Sequence, residues 1–173
     1  DFIRHLAAEF ALSPAASLVG MSCGGLIALK LATYHPEFVS CLYLDAPVLN
    51  FLSCPLGFGL ARPLDPAGGQ EEILAALGLD SISQLICYRE MPMHLLPELV
   101  QHKLPVVMVS GDSDTVVPYV ENGLMLEEAY KKAGLPLQLH IKPGGDHHPH
   151  GLPDPAPLVE FILEHSCPAR DTL

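Results

Sequence analysis

Leu18–Ala32, LVGMSCGGLIALKLA, is the stretch whose reading decides the fold. The apolar run Ser17-Leu18-Val19 stops abruptly at Gly20. Beyond Gly25, the residues Leu26, Ile27, Leu29, Lys30 and Leu31 carry the spacing of a helix with mostly buried faces. The order is strand, sharp turn, helix. The turn, Gly20-Met21-Ser22-Cys23-Gly24, matches G-x-S-x-G. Such a turn lifts a serine hydroxyl out of a tightly folded backbone, straining the central residue while small neighbours let strand and helix approach. The following helix directs its free N–H groups toward the serine, where negative charge develops in acyl transfer. Ser22 is therefore a candidate nucleophile. A plain glycine-rich turn is the competing reading, and the motif alone does not separate the two.

Length and composition narrow the classes. At 173 residues and 49% apolar content the chain fits one domain, residues 1–173, with a substantial core. A net charge of −11 with only nine Lys plus Arg argues against nucleic acid or an anionic membrane surface as partner. No apolar run is long enough to span a bilayer. Five cysteines without regular spacing resemble neither a disulfide framework nor a zinc ribbon, which favours a reduced, cytoplasmic setting. The chain opens at Asp1 inside a helix-like pattern (Phe2, Ile3, Leu6, Phe10) with no cap before it. It reads as a piece of a longer protein, so the lack of a signal peptide carries no weight.

Working outward from the elbow, four apolar runs read as buried parallel strands: Ser17 to Gly20, Val39 to Leu44, Pro105 to Ser110 and Leu137 to Ile141. Helical patterns lie between and after them. Gly25 to Tyr34 is closed by Pro36, Tyr119 to Ala133 is stopped by Gly134 and Pro136, and Pro157 to His165 follows the last strand. Alternation of this kind predicts an α/β fold, an open and mostly parallel sheet flanked by helices. Asn50 to Lys103 breaks the rhythm. It begins rich in Pro and Gly, and Glu71 to Leu77 and Ser81 to Tyr88 then read as short helices. A cap over a pocket and an ordinary crossover with an irregular start are the two readings of this segment.

A serine hydroxyl is a poor nucleophile until a base takes its proton, and that base needs an orienting acid. The third strand run ends in SGDSDTVVP, Ser110–Pro118, and the fourth in KPGGDHHPHGL, Lys142–Leu152. Both deliver polar residues in turns at the carboxyl ends of strands, where open α/β sheets place their sites. The chain order Ser, Asp, His is the one expected for this sheet type.

The elbow GMSCGG, the acid turn G-x-x-D-x-x-V-P (Gly111, Asp114, Val117, Pro118) and a late histidine turn together resemble the α/β-hydrolase superfamily. The tail GGDHHPHGLPDPAPLVEFIL is similar to esterases and to peptidase-like members with a prolyl-oligopeptidase type catalytic domain. The resemblance implies Ser22 as nucleophile, the backbone N–H of Cys23 as one oxyanion donor, and Asp114 as acid. Asp112 is the near competitor, read as a turn residue that bonds local N–H groups. Asp45, ending the second strand run, is a further acid, more simply a structural or pocket-floor residue. Among His147, His148 and His150, the G-x-x-H spacing from Gly144 favours His147, leaving loop packing to the other two.

A metal reading of Asp146, His147, His148 and His150 is set aside, because adjacent histidines are expected to point in different directions and no second cluster completes a tetrahedral site. No cofactor is implied. The Cys23 side chain is expected to project away from the site, and Cys54 is read as a small apolar residue. The expected reaction is serine-dependent hydrolysis of a carboxylic ester, with a peptidase or amidase as runner-up. A non-catalytic binding module on the same fold is the rival from another class. The expected partner is a small-molecule ester or peptide substrate. The resemblance also marks a departure: strands normally precede the nucleophile strand, and a loop among them donates a second oxyanion N–H. The chain is expected to lack these first strands and to leave the nucleophile strand as an exposed edge.

Overall fold

The four apolar runs form four strands, β1 (Ala16–Met21), β2 (Val39–Asp45), β3 (Val106–Gly111) and β4 (Gln138–Lys142), in a computed structural model that describes residues 2–63, 65 and 68–166. They pair in parallel and in chain order, β1-β2-β3-β4. The helices are α1 (Phe2–Phe10), α2 (Cys23–Tyr34), α3 (Gly68–Leu77), α4 (Ile82–Cys87), α5 (Pro92–Leu99), α6 (Gly123–Lys132) and α7 (Ala156–Ser166).

Side-chain alternation sorts the two central strands between two cores. Leu42 and Leu44 of β2 and Val106 and Met108 of β3 face a cluster completed by Ala28, Leu29 and Ala32 of α2, Leu96 and Leu99 of α5, and Leu126 and Tyr130 of α6. Cys41 and Tyr43 of β2 and Val107 and Val109 of β3 face the opposite way, onto Leu158 and Phe161 of α7. Parallel strands laid down in one direction with crossovers of one hand place every connection on the same face, and α2, α5 and α6 lie so. β2 and β3 are buried almost throughout. Each fully buried Leu or Met there contributes about 1.5–3 kcal/mol of hydrophobic stabilisation. β1 is an edge strand, with Val19 54% and Met21 42% exposed.

A third cluster lies over the irregular segment. Val48, Phe51, Cys54, Leu85 and Met91 pack with Val116 and Val117, joined by Leu26 of α2 and Ile73, Leu74 and Leu77 of α3. Three elements differ from the sequence reading. The helix expected from Gly25 begins at Cys23, because the elbow runs straight into it. α5 went unread, since Pro92 and Pro97 within one short stretch look like helix breakers; Pro92 opens the helix, where a missing N–H costs nothing, and Pro97 lies inside it. The single helix expected over Tyr119–Ala133 is divided into a 3-10 turn, Tyr119–Glu121, and α6, with Asn122 between them at φ −137° and ψ −85°.

The close packing of strand and helix rests on Gly20 and Gly25. A Cβ on Gly20 would lie 2.7 Å from the Gly24 carbonyl oxygen, and one on Gly25 would lie 2.5 Å from Pro47 Cβ. A Cβ on Gly24 would meet nothing within 4 Å. Gly25→Ala is therefore expected to destabilise the protein by about 1–3 kcal/mol through overpacking, whereas Gly24→Ala should stay within about 1 kcal/mol of the parent. Urea unfolding midpoints of the two variants check this, and equal midpoints would contradict it.

Candidate active site

Each candidate side chain, Ser22, Asp114 and His147, stands just beyond the carboxyl end of a strand. Ser22 follows β1 with φ 51° and ψ −119°, a conformation that costs an L-residue about 1–3 kcal/mol and persists only where the surroundings fix it. They do so through both backbone polar groups. The Ser22 N–H donates to the Asp45 carbonyl at 2.8 Å, and the Ser22 carbonyl accepts from Gly25 N at 3.0 Å and Val48 N at 3.1 Å. Cys23 opens α2, so its N–H belongs to the first turn, which has no partner within the helix; its side chain is exposed. Cys54 is buried, and that burial pushes its thiol up to about 12.

Asp114, in the turn after β3, is buried and fully engaged. Its Oδ1 accepts the N–H groups of Val116 and Val117, each at 2.8 Å, and its Oδ2 lies 2.8 Å from His147 Nδ1. His147 Nε2 lies 3.1 Å from Ser22 Oγ. An ionised carboxylate only accepts, so Nδ1 carries the proton and Nε2 is left free to accept one from the hydroxyl. A proton can thus leave Ser22 for the imidazole while the carboxylate stabilises the resulting cation. Asp112 stands outside this series. Its Oδ1 accepts from Gly144 N at 2.7 Å and from the Ser113 hydroxyl at 2.9 Å, tying the acid turn to the histidine turn.

The two turns cross in near contact. A Cβ on Gly111 would lie 2.1 Å from the Gly145 carbonyl oxygen, and Ser113 N donates to that oxygen at 3.0 Å. Asp146 clamps the crossing from outside, its Oδ1 accepting His147 N at 2.8 Å and Thr115 N at 3.2 Å. Those two N–H groups hold its carboxyl below the ordinary value of 3.8, with the Arg62 charge assisting.

Asn122 was invisible to pattern reading. It is fully buried; its Oδ1 accepts from Leu49 N and Asn50 N, each at 3.0 Å, and its Nδ2 donates to the Pro118 carbonyl at 3.2 Å. These bonds are why the helix breaks there.

Asp45, at the end of β2, is also fully buried. Its carboxylate takes the Tyr43 hydroxyl at 2.9 Å and lies 3.0 Å from His150 Nδ1; it also accepts the Gly151 N–H. Burial and this carboxylate push the Tyr43 phenol well up. His150 is thus more than loop packing. The expectation that adjacent histidines diverge is corrected as well. The rings of His147, His148 and His150 meet edge to face, with centroids 4.9, 5.0 and 4.7 Å apart. The other histidines that have bonds do so locally or to backbone, as His102 to the Thr33 carbonyl and His165 to that of Phe161. The four described cysteines are free thiols; Cys167 lies outside the described residues.

The Asp146 clamp has a definite pH signature. A carboxyl depressed in the folded state adds stability above its unfolded value of 3.8, and that stability is lost as pH falls through the lower folded value. Asp146→Asn should be less stable than the parent at pH about 7, with the gap closing as pH falls below the ordinary carboxyl value of 3.8 and through the lower folded value. Urea midpoints measured across that range test it; a gap independent of pH would show that the charge is irrelevant.

A puromycin-hydrolysing peptidase from Mycobacterium tuberculosis is similar with a TM-score of 0.70 and 16% identity, over 95% of this chain and 24% of its own. A puromycin hydrolase gives 0.67 and 20% identity, over 93% of this chain and 22% of that one. A ferulic acid esterase gives 0.61 and 14% identity, over 96% and 58%. The fold is that of the α/β-hydrolases, and the chain spans roughly a fifth to a quarter of the length of the two puromycin-hydrolysing proteins. No curated protein matches it by sequence. No described helix is long and apolar enough to cross a membrane. The model of the prolyl oligopeptidase family matches residues 1–160, and the chain belongs to that family.

Proposed function

We propose that the protein is a serine hydrolase working through an acyl-enzyme at Ser22. The observation that carries this reading is the hydrogen-bonded series from Ser22 Oγ to His147 Nε2 and from His147 Nδ1 to Asp114. His147 takes the proton of Ser22 as Oγ attacks the acyl carbon, and Asp114 holds the tautomer and stabilises the imidazolium. The oxyanion forms against the Cys23 N–H at the start of α2. His147 then protonates the leaving group and activates the water that releases the acid. The histidine, rather than the acid, moves the protons.

An amide or peptide bond is the substrate class favoured by family membership over residues 1–160 and by the similarity to puromycin-hydrolysing proteins. The carboxylic ester expected from the sequence keeps support in the ferulic acid esterase. We also assign residues 50–103 a covering role within a single domain. Their apolar cluster includes Val116 and Val117, whose N–H groups hold the acid, so the segment borders the site.

A fluorophosphonate should label Ser22 covalently. Ser22→Ala should abolish labelling and lower turnover by roughly 10⁴–10⁶-fold, and His147→Ala should cost about as much, because the two act as a unit. Asp114→Asn should cost roughly 10⁴-fold. Mass spectrometry of the labelled protein, with kcat/KM for an aminoacyl p-nitroanilide against p-nitrophenyl acetate, gives both answers. Labelling elsewhere, or none, removes the reading; esterolysis with no anilide cleavage reverses the substrate order.

A further inference from the structure

Three imidazoles crowd the mouth of the Ser22–His147–Asp114 series, and only one of them has a part in it. A nitrogen from each of His147, His148 and His150 lies within 4.8 Å of one from each of the others. Three imidazoles on one tetrahedral zinc, with nitrogen about 2.0–2.1 Å from the metal, have ring centroids roughly 5 Å apart. The centroids here are already 4.7 to 5.0 Å apart. The nitrogens must close to about 3.4 Å, and His148, which is exposed, and His150, which is partly so, can both turn toward the buried His147.

The surroundings of two of the rings make the cluster more than a crowd. His147 Nδ1 is held by Asp114 at 2.8 Å and His150 Nδ1 by Asp45 at 3.0 Å. Both carboxylates are buried, with side-chain exposures of 1% and 0%. Metal-binding histidines characteristically donate the N–H of one nitrogen to a carboxylate, which fixes the tautomer and raises the basicity of the other. Here both Nε2 atoms are left as acceptors. Neutral imidazole suits zinc and its borderline neighbours rather than magnesium or calcium, which take oxygen.

We infer that His147, His148 and His150 form a three-imidazole site for a divalent ion such as Zn²⁺, and that its occupancy switches the hydrolase off. This rests on the reading of His147 as the general base. A metal on His147 Nε2 takes the lone pair that accepts the Ser22 proton. Ser22 then keeps its hydrogen, and the fourth metal position is left to water. The ion is a reversible inhibitor, outside the hydrolytic reaction.

The test is made with purified, metal-free protein. Calorimetry with Zn²⁺ and visible absorption with Co²⁺ should report one site. His148→Ala and His150→Ala should each weaken it at least about tenfold, and Asp45→Asn should do so by about 10–100-fold. The rate of fluorophosphonate labelling should fall over the same Zn²⁺ range and recover with EDTA. In His148→Ala, compared with its own metal-free rate, the inhibition should move to correspondingly higher Zn²⁺. Binding of equal strength in the parent and in both histidine variants overturns the site, as does no binding below millimolar Zn²⁺. Binding that leaves labelling untouched overturns the switch. Absence of labelling in metal-free protein overturns the hydrolase reading and the switch with it, while calorimetry decides the metal site separately.

Discussion

Asp45 is the residue on which the arrangement turns. Its backbone carbonyl receives the N–H of the strained Ser22, and its buried carboxylate holds Tyr43, His150 and Gly151. The end of one central strand thus fixes Ser22 with its main chain and the histidine turn with its side chain. A serine at φ 51° relaxes unless something holds it. The register that pairs Met21 with Asp45 brings that carbonyl within reach. Fold and site are joined at this point.

A second set of constraints positions the acid. Asp114 receives the N–H groups of Val116 and Val117, and those side chains sit in the cluster built by residues 48 to 91. Asn122 adds a polar tie from the same loop to Leu49 and Asn50, and Glu121 accepts the Ser53 hydroxyl at 2.6 Å and Leu60 N at 2.8 Å. The irregular segment is therefore anchored to the acid turn through both apolar packing and hydrogen bonds, of which that from Leu49 N to Asn122 is buried. That buried bond is expensive to break, about 1–3 kcal/mol where a partner is left unsatisfied.

The strands were legible because β2 and β3 are buried on both faces and read as unbroken apolar runs. Even the edge strands showed, through the glycines and prolines that bound them. The turns that carry Ser22, Asp114 and His147 were legible as turns for a related reason: each follows a strand and carries small or polar residues. What escaped depends on contacts between distant residues. No local pattern links Asn122 to Leu49, Asp146 to Thr115 or His150 to Asp45, because those bonds span 73, 31 and 105 residues. α5 escaped for the opposite reason, its local signals being against it. The divergence expected of neighbouring histidines failed because the turn is shaped by Asp45 and Asp114, not by alternation along an extended chain.

The order of the strands along the chain also dictates a sequence of events during synthesis. The pair His147–Asp114 is closed over 33 residues, inside the stretch that runs from β3 to just beyond β4. Ser22 meets that pair only across 125 residues. A ribosome delivers the elbow first, and domains assemble as their parts emerge. The Ser22 hydroxyl thus emerges well before its hydrogen-bond partner His147. Until the stretch that carries β3, β4 and the turn beyond them has folded, the Ser22 hydroxyl lacks the imidazole it bonds in the finished structure.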